Sequence, residues 1–166
     1  MPIATVGQVL TSVRILPEWT TAAGQLLPAF YTAAFDGAID DLKDAVGLTA
    51  AWRAQQRRST VALEARLRFW GLAWRAEHLV VESRIVDFDL KRLRVGQTLQ
   101  RGAEVLATRE SLAISFDLEA RRACVFDDTV TRQIAVLHAA HQRLPPWPWV
   151  GQPYLTVADA ATPTHP

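Results

Sequence analysis

Between Ala29 and Val46 the apolar residues recur at intervals of three and four, and no later segment before residue 127 holds that period for as long. Tyr31, Phe35, Ala38, Leu42 and Ala45 form the stripe, with Asp36, Asp40, Asp41 and Asp44 mostly off it. This is the pattern of a helix that buries one side. Pro28 suits a first helical turn, where the N–H it lacks has no intrahelical partner anyway. Gly47 suits the position just past the last turn. After a short helix or loop at 49–57, the period becomes two. In STVALEARLRF, Val61, Leu63, Ala65, Leu67 and Phe69 alternate with Thr60, Ala62, Glu64, Arg66 and Arg68, as in a strand with unlike faces.

One long helix enclosed by strands narrows the architecture sharply. A first strand is expected at Val9–Leu16, ended by Pro17. Strands at Glu77–Phe88, Arg92–Leu99 and Glu104–Leu118 follow the 59–69 strand through short turns, with a further short one at Ala123–Phe126. Asp127 or Asp128 then caps a helix running through His141, whose stripe is Val130, Ile134, Leu137, His141 and Leu144. The order predicts an α+β domain in which an antiparallel sheet wraps the long helix. Such a sheet leaves an edge strand, which commonly pairs with a second copy.

Composition sets the outer limits. The chain has 166 residues, enough for one core. We expect a single domain over 1–153 and a small, polar, Pro-containing tail over 154–166. A net charge of +1 argues against a dedicated nucleic-acid partner. One cysteine, Cys124, leaves no internal disulfide and fits a reducing compartment. No apolar run approaches the roughly 18–20 residues of a membrane span, and the N-terminal stretch lacks a signal-peptide pattern. The expected location is the cytoplasm, away from membranes.

The stretch ILPEWTTAAGQLLPAFY, residues 15–31, leads from the first strand into the helix. A loop feeding a helix N-terminus is a natural cradle for a carbonyl or an anion. Yet no His, Asp, Cys or Lys lies between Leu16 and Phe35. The segment resembles the N-terminal signature of hotdog-fold thioesterases of the 4-hydroxybenzoyl-CoA-thioesterase type, nearest the branch of betainyl-CoA thioesterases, whose loop reads roughly PEW-x-D-x-N-G-H-M-N. Pro17-Glu18-Trp19, Gly24 and Tyr31 are kept. LEARLRFWGLAWRAEHLVV, ATRE at 107–110, FDLE at 116–119 and AAHQRLPPWPWVGQP extend the likeness over roughly residues 9–153.

The resemblance implies a hotdog fold, an acyl-CoA or carrier-protein thioester as substrate, and assembly as a homodimer or a dimer of dimers. No cofactor is implied beyond the CoA or pantetheine that a substrate carries. In this register the family's acidic residue falls on Thr21, its Asn on Ala23, its His on Gln25 and its second Asn on Leu27. None of these side chains exchanges protons near neutral pH. Backbone donors at Gly24 and the helix N-terminus do not depend on side-chain identity and can still polarise a carbonyl.

The candidate catalytic residues are therefore Glu64, the leading carboxylate, with Gln25 and Thr21 to orient a carbonyl or a water. Trp19, Gly24, Leu27, Tyr31, Arg66 and Trp70 are the candidate substrate-binding residues. Each also has a structural reading. Glu64 fits a solvent-facing strand position beside Arg66 and Arg68, and Thr21 and Gln25 fit bonds within the loop. Tyr31 fits simple packing. Glu110, placed by alternation with Leu106, Leu112 and Ile114, calls for a partner or a raised pKa, and pairing with an arginine is its structural reading. His138 and His141, three apart, lack the carboxylate context of a zinc helix, and no metal is expected. Trp19, Trp70 and Trp74 read either as walls for a flat ligand or as packing.

Three functions stay open: a thioester hydrolase; a hotdog enzyme turned to dehydration, decarboxylation or cyclisation on an apolar or aromatic substrate; and a protein that binds an acyl ligand without turnover.

Overall fold

The computed structural model of the chain describes residues 7–153; the expected tail at 154–166 lies outside them. Strand β1 (Val9–Arg14) leads through a single 3-10 turn at Pro17–Trp19 and a loop into the long helix α1 (Pro28–Ala45). A short helix α2 (Ala50–Gln56) precedes β2 (Arg58–Phe69), β3 (His78–Phe88), β4 (Arg92–Arg101), β5 (Glu104–Asp117) and the two-residue β6 (Arg122–Ala123). Helix α3 (Asp128–His141) follows. The sheet is antiparallel, in the order β1-β3-β4-β5-β2, with β6 on the far end of β5. This is the α+β hotdog arrangement, with the sheet curled around one helix.

Local chemistry explains the boundaries. Pro28 opens α1, and the helix closes in a Schellman motif. Gly47 sits at φ +81° and its N–H reaches the Asp44 carbonyl, while the Leu48 N–H reaches that of Lys43. Asp127 caps α3 through the Val130 N–H. Tyr31, Phe35, Ala38 and Leu42 are buried as the stripe requires, but Ala45 is exposed and Val46 is buried in its place. The Schellman turn bends the chain there and points the cap residue into the core.

The core lies on one face of the sheet, the helix face. One cluster joins Tyr31, Phe35 and Ala38 to Ile15, Leu79, Val81 and Leu99. The other joins Leu42 and Val46 to Ile85, Val95, Val130 and Ile134, so α3 lies on the same face as α1.

Two β-bulges revise the expected strand faces. In β2 the register slips between Ala62 and Glu64, making Leu63 the extra residue. Val61 then stands opposite Ile114 and shares a face with Glu64 and Arg66, while Ala62 crosses to the side of Ala65 and Leu67. In β5, Leu106 is extra between the Leu99–Ala107 and Gln100–Val105 pairs. It packs into the helix-face core beside Ala107, away from Glu110.

The opposite, open face of the sheet is crossed by the segment after α3. Trp147 and Trp149 stack on each other at 5.2 Å and lie against Gly96, where an added Cβ would come within 3.1–3.2 Å of both rings. The Arg84 guanidinium sits 4.0 Å from the Trp147 ring centroid, and Arg84 also donates to the Pro145 carbonyl. The Pro- and Trp-rich exit is a strap bound to the domain.

Candidate functional site

Residues 20–27 form a tight hairpin-like loop that docks on the turn after β2. Thr20 bridges Leu26, and Gln25 bridges Trp74. Gly24 is buried at φ +89°, a conformation that glycine adopts without strain. Its N–H donates to the Thr21 carbonyl at 2.9 Å. The Gln25 N–H donates to Thr21 Oγ1 at 3.2 Å, that of Leu26 to the Ala73 carbonyl, and that of Leu27 to the Trp19 carbonyl. Arg75 braces the loop from outside through Thr20 Oγ1 and the Thr21 carbonyl. The amides expected to hold a ligand at Gly24 are thus taken by the loop itself, and Thr21 Oγ1 caps it from within.

What stays open is the end of α1. Pro28 has no N–H and the Phe30 N–H turns back to the Leu27 carbonyl. Among the described residues nothing accepts from the Ala29 N–H or bonds to the side-chain amide of Gln25. The positive end of an 18-residue helix favours a developing negative charge at Ala29. Exposed Leu27, Phe69, Leu72 and Trp74 lie on the segments that flank it, giving an apolar approach.

Tyr31 stands beneath this mouth, buried, with its hydroxyl accepting from the Ala73 N–H at 3.1 Å and donating to the Gly71 carbonyl at 3.3 Å. Burial raises its pKa above the ordinary phenol value. Trp19 stacks on Phe30 at 5.6 Å. Trp70 instead donates from Nε1 to Thr108 Oγ1 at 3.1 Å, on the open face. Trp74 lies at the surface. No ring contact joins Trp19, Trp70 and Trp74 among the described residues, so they do not form one aromatic wall.

The second group of candidates sits on the open face. Arg66 stands opposite Glu110 and Glu64 opposite Leu112; directly opposed residues of an antiparallel pair share a face. Glu110, 9% exposed, accepts from Arg66 at 2.9 Å, from Arg94 and from the Gly151 N–H at 2.9 Å. Burial alone would raise its pKa, but the Gly151 N–H and the two guanidiniums outweigh that and hold the carboxyl below the usual range. This is the arginine pairing that its position calls for. Glu64 is exposed and makes no hydrogen bond or ion pair with any described residue. Glu64, Arg66, Arg94, Glu110 and Gly151 line a cleft of about 340 Å³.

The candidates therefore split within the chain. Trp19, Thr21, Gly24, Gln25, Leu27 and Tyr31 gather around the entry to α1; Glu64, Arg66 and Trp70 lie on the open face. The sequence reading missed Ala29, Arg68 and Arg94. A backbone donor has no side-chain signature apart from the Pro28 beside it. Arg68 was legible as a neighbour of Arg66 on one strand face, whereas Arg94 arrives from another strand.

His138 and His141 engage backbone groups. His141 Nδ1 accepts from the Ile85 N–H at 2.9 Å, and Nε2 donates to the Gly7 carbonyl at 2.8 Å. His138 Nε2 lies 3.2 Å from the Val86 carbonyl.

Comparison with known proteins places this geometry. The family model of the thioesterase-like superfamily matches residues 15–134. A betainyl-CoA thioesterase of Pseudomonas aeruginosa is 30% identical over 142 residues, covering 83% of this chain and 89% of that protein. A hypothetical protein of Staphylococcus aureus, solved in complex with CoA, superposes with a TM-score of 0.82 at 20% identity, over 90% of this chain and 95% of that one. A putative thioesterase of Pseudomonas putida gives 0.76 at 24% identity, over 88% and 94%. The two structures bear on the fold, and the family model and the sequence relative carry the kinship: the chain belongs to the thioesterase-like hotdog superfamily.

Proposed function

We propose that the protein hydrolyses an acyl-CoA or carrier-protein thioester whose carbonyl is held at the N-terminus of α1. The observation that carries this is the Ala29 N–H at the positive end of a long helix, which, like the side-chain amide of Gln25 in the loop before it, has no partner among the described residues. Negative charge that develops on the carbonyl oxygen as water adds is stabilised there, before the thiolate leaves. The kinship to a CoA thioesterase supports the substrate class.

Glu64 is the proposed acceptor of the water's proton, since its carboxylate has no partner among the described residues. It lies on the open face while the loop lies by the helix, so in this reading the two meet between copies of the chain. The free edge of β2 and exposed Leu63 and Phe69 support assembly as a homodimer or a dimer of dimers. The same separation favours a second reading, in which the loop binds an acyl ligand or directs non-hydrolytic chemistry and Glu64 takes no part.

Glu64→Gln separates them on a panel of acyl-CoA thioesters. Loss of about a hundredfold or more in kcat, with KM nearly unchanged, supports the general-base role. Equal hydrolysis by the variant removes Glu64 from the chemistry, and no hydrolysis by the wild type favours the second reading.

A further inference from the structure

The geometry points to an oxyanion-binding site on the open face of the sheet, built from Arg66, Arg68 and Arg94 and closed by the end of the strap. Its ligand class is the phosphate group, whether free or on the nucleotide end of a CoA molecule. Within one chain the site is separate from the α1 entry, and its binding of phosphate does not depend on the thioesterase reading.

Arg68 carries the argument. It is 7% exposed, yet among the described residues it has no carboxylate partner. Its acceptors are neutral and all belong to the strap: Gln152 Oε1 at 3.3 Å, the Gln152 carbonyl at 3.5 Å and the Pro153 carbonyl. A buried guanidinium is costly without an anion, and two of these distances are at or beyond the ordinary hydrogen-bond range. Charge-assisted bonds to an oxyanion are shorter and roughly twice as strong.

Arg66 donates both to Glu110 and to the Gln152 carbonyl, and Arg94 donates to Glu110. Arg66 and Arg94 thus share the buried carboxylate of Glu110, and Arg68 stands beside Arg66 on the same strand face. Glu64 stands at the rim of the adjoining cleft, exposed to solvent screening. The strap is firmly attached upstream, through Trp147 over Arg84 and both Trp rings on Gly96. Residues 151–153 are exposed and rest on the arginines only through carbonyl and amide groups. Displacing those groups does not require the Trp anchor to leave. A phosphate bridging Arg66 and Arg68 would replace neutral acceptors with charged ones and keep the rest of the strap in place.

The test is titration calorimetry of the full chain with pyrophosphate and with CoA at constant ionic strength, with tryptophan fluorescence followed in parallel. Saturable binding that weakens about tenfold or more in Arg68→Gln supports the site. Response to both probes identifies free phosphate as sufficient, whereas response to CoA alone assigns the site to the nucleotide end. Gln152→Glu serves as the second variant because the position is exposed and its side-chain oxygen already faces Arg68. It supplies Arg68 with the carboxylate it lacks among the described residues, so it should weaken either probe at least tenfold while raising the melting temperature. No saturable binding by the wild type, or unchanged affinity in both variants, overturns the inference. Hydrolysis at the α1 entry would be untouched by that failure, and binding of pyrophosphate would survive failure of the thioesterase reading.

Discussion

Tyr31, in the first turn of α1, accepts the buried N–H of Ala73 at 3.1 Å while donating to the Gly71 carbonyl at 3.3 Å. One hydroxyl thereby ties the helix to the turn on which the 20–27 loop is docked. Burial raises its pKa, so the proton needed for the Gly71 bond is retained through the neutral and mildly alkaline range.

Tyr31→Phe should leave the Ala73 amide buried without an acceptor, at a cost of about 1–3 kcal/mol. Urea denaturation reads the loss. Hydrogen exchange should show faster opening at Leu26, whose N–H bonds to the Ala73 carbonyl. An unchanged midpoint would mean that the ring packing against Phe69 alone holds the turn.

Gly96→Ala tests the strap. The new methyl would meet Trp147 and Trp149 at 3.1–3.2 Å, closer than ordinary van der Waals contact, and the Trp147 ring has the Arg84 guanidinium over it at 4.0 Å. Overpacking of this kind costs about 1–3 kcal/mol. We expect a lower melting temperature and a red-shifted tryptophan emission as the rings move toward water. Wild-type emission and stability together would show that the strap is not seated on Gly96.

His141 makes stability depend on pH. Its ring is held neutral: burial is the largest cause of its lowered pKa, with Arg84 and His138 adding to it against the Gly7 carbonyl and Glu82. Protonation would also turn Nδ1 from the acceptor of the Ile85 N–H into a donor. The sign follows from linkage. Because the folded pKa lies below the unfolded value of 6.5, the unfolded chain binds the proton first as pH falls. The contribution of His141 is complete above that value and is lost as pH falls through the folded pKa. Urea midpoints between about pH 8 and pH 5 should decline, and His141→Leu should flatten that decline. The variant should also be about 1–3 kcal/mol less stable at pH 8, since it orphans the Ile85 amide. A wild-type profile flat down to pH 5 contradicts the assignment.

Much of this architecture was legible because periodicity reports burial directly. The α1 stripe failed only at Ala45, where the turn at Gly47 rotates Val46 inward. The β2 alternation held from Glu64 to Phe69 and failed from Leu63 back to Thr60, because one inserted residue reverses the faces on its N-terminal side. Glu110 was legible as a carboxylate in need of arginines, because alternation placed it among apolar residues. Which arginines answer it depends on β2 and β4 flanking β5, and the further donor at Gly151 depends on the strap folding back; none of these leaves a local mark.

The order of one helix and several strands, the entry loop and its altered chemistry were determined by the sequence alone, since they rest on local period, turn residues and the identity of four side chains. Only the tertiary structure decided which face each candidate occupies. It placed Gln25 and the Ala29 amide by the helix, and Glu64, Arg66 and Arg68 on the opposite side of the sheet. The physical reason is that a strand's side chains alternate faces, and a single bulge or a returning segment determines what each face meets.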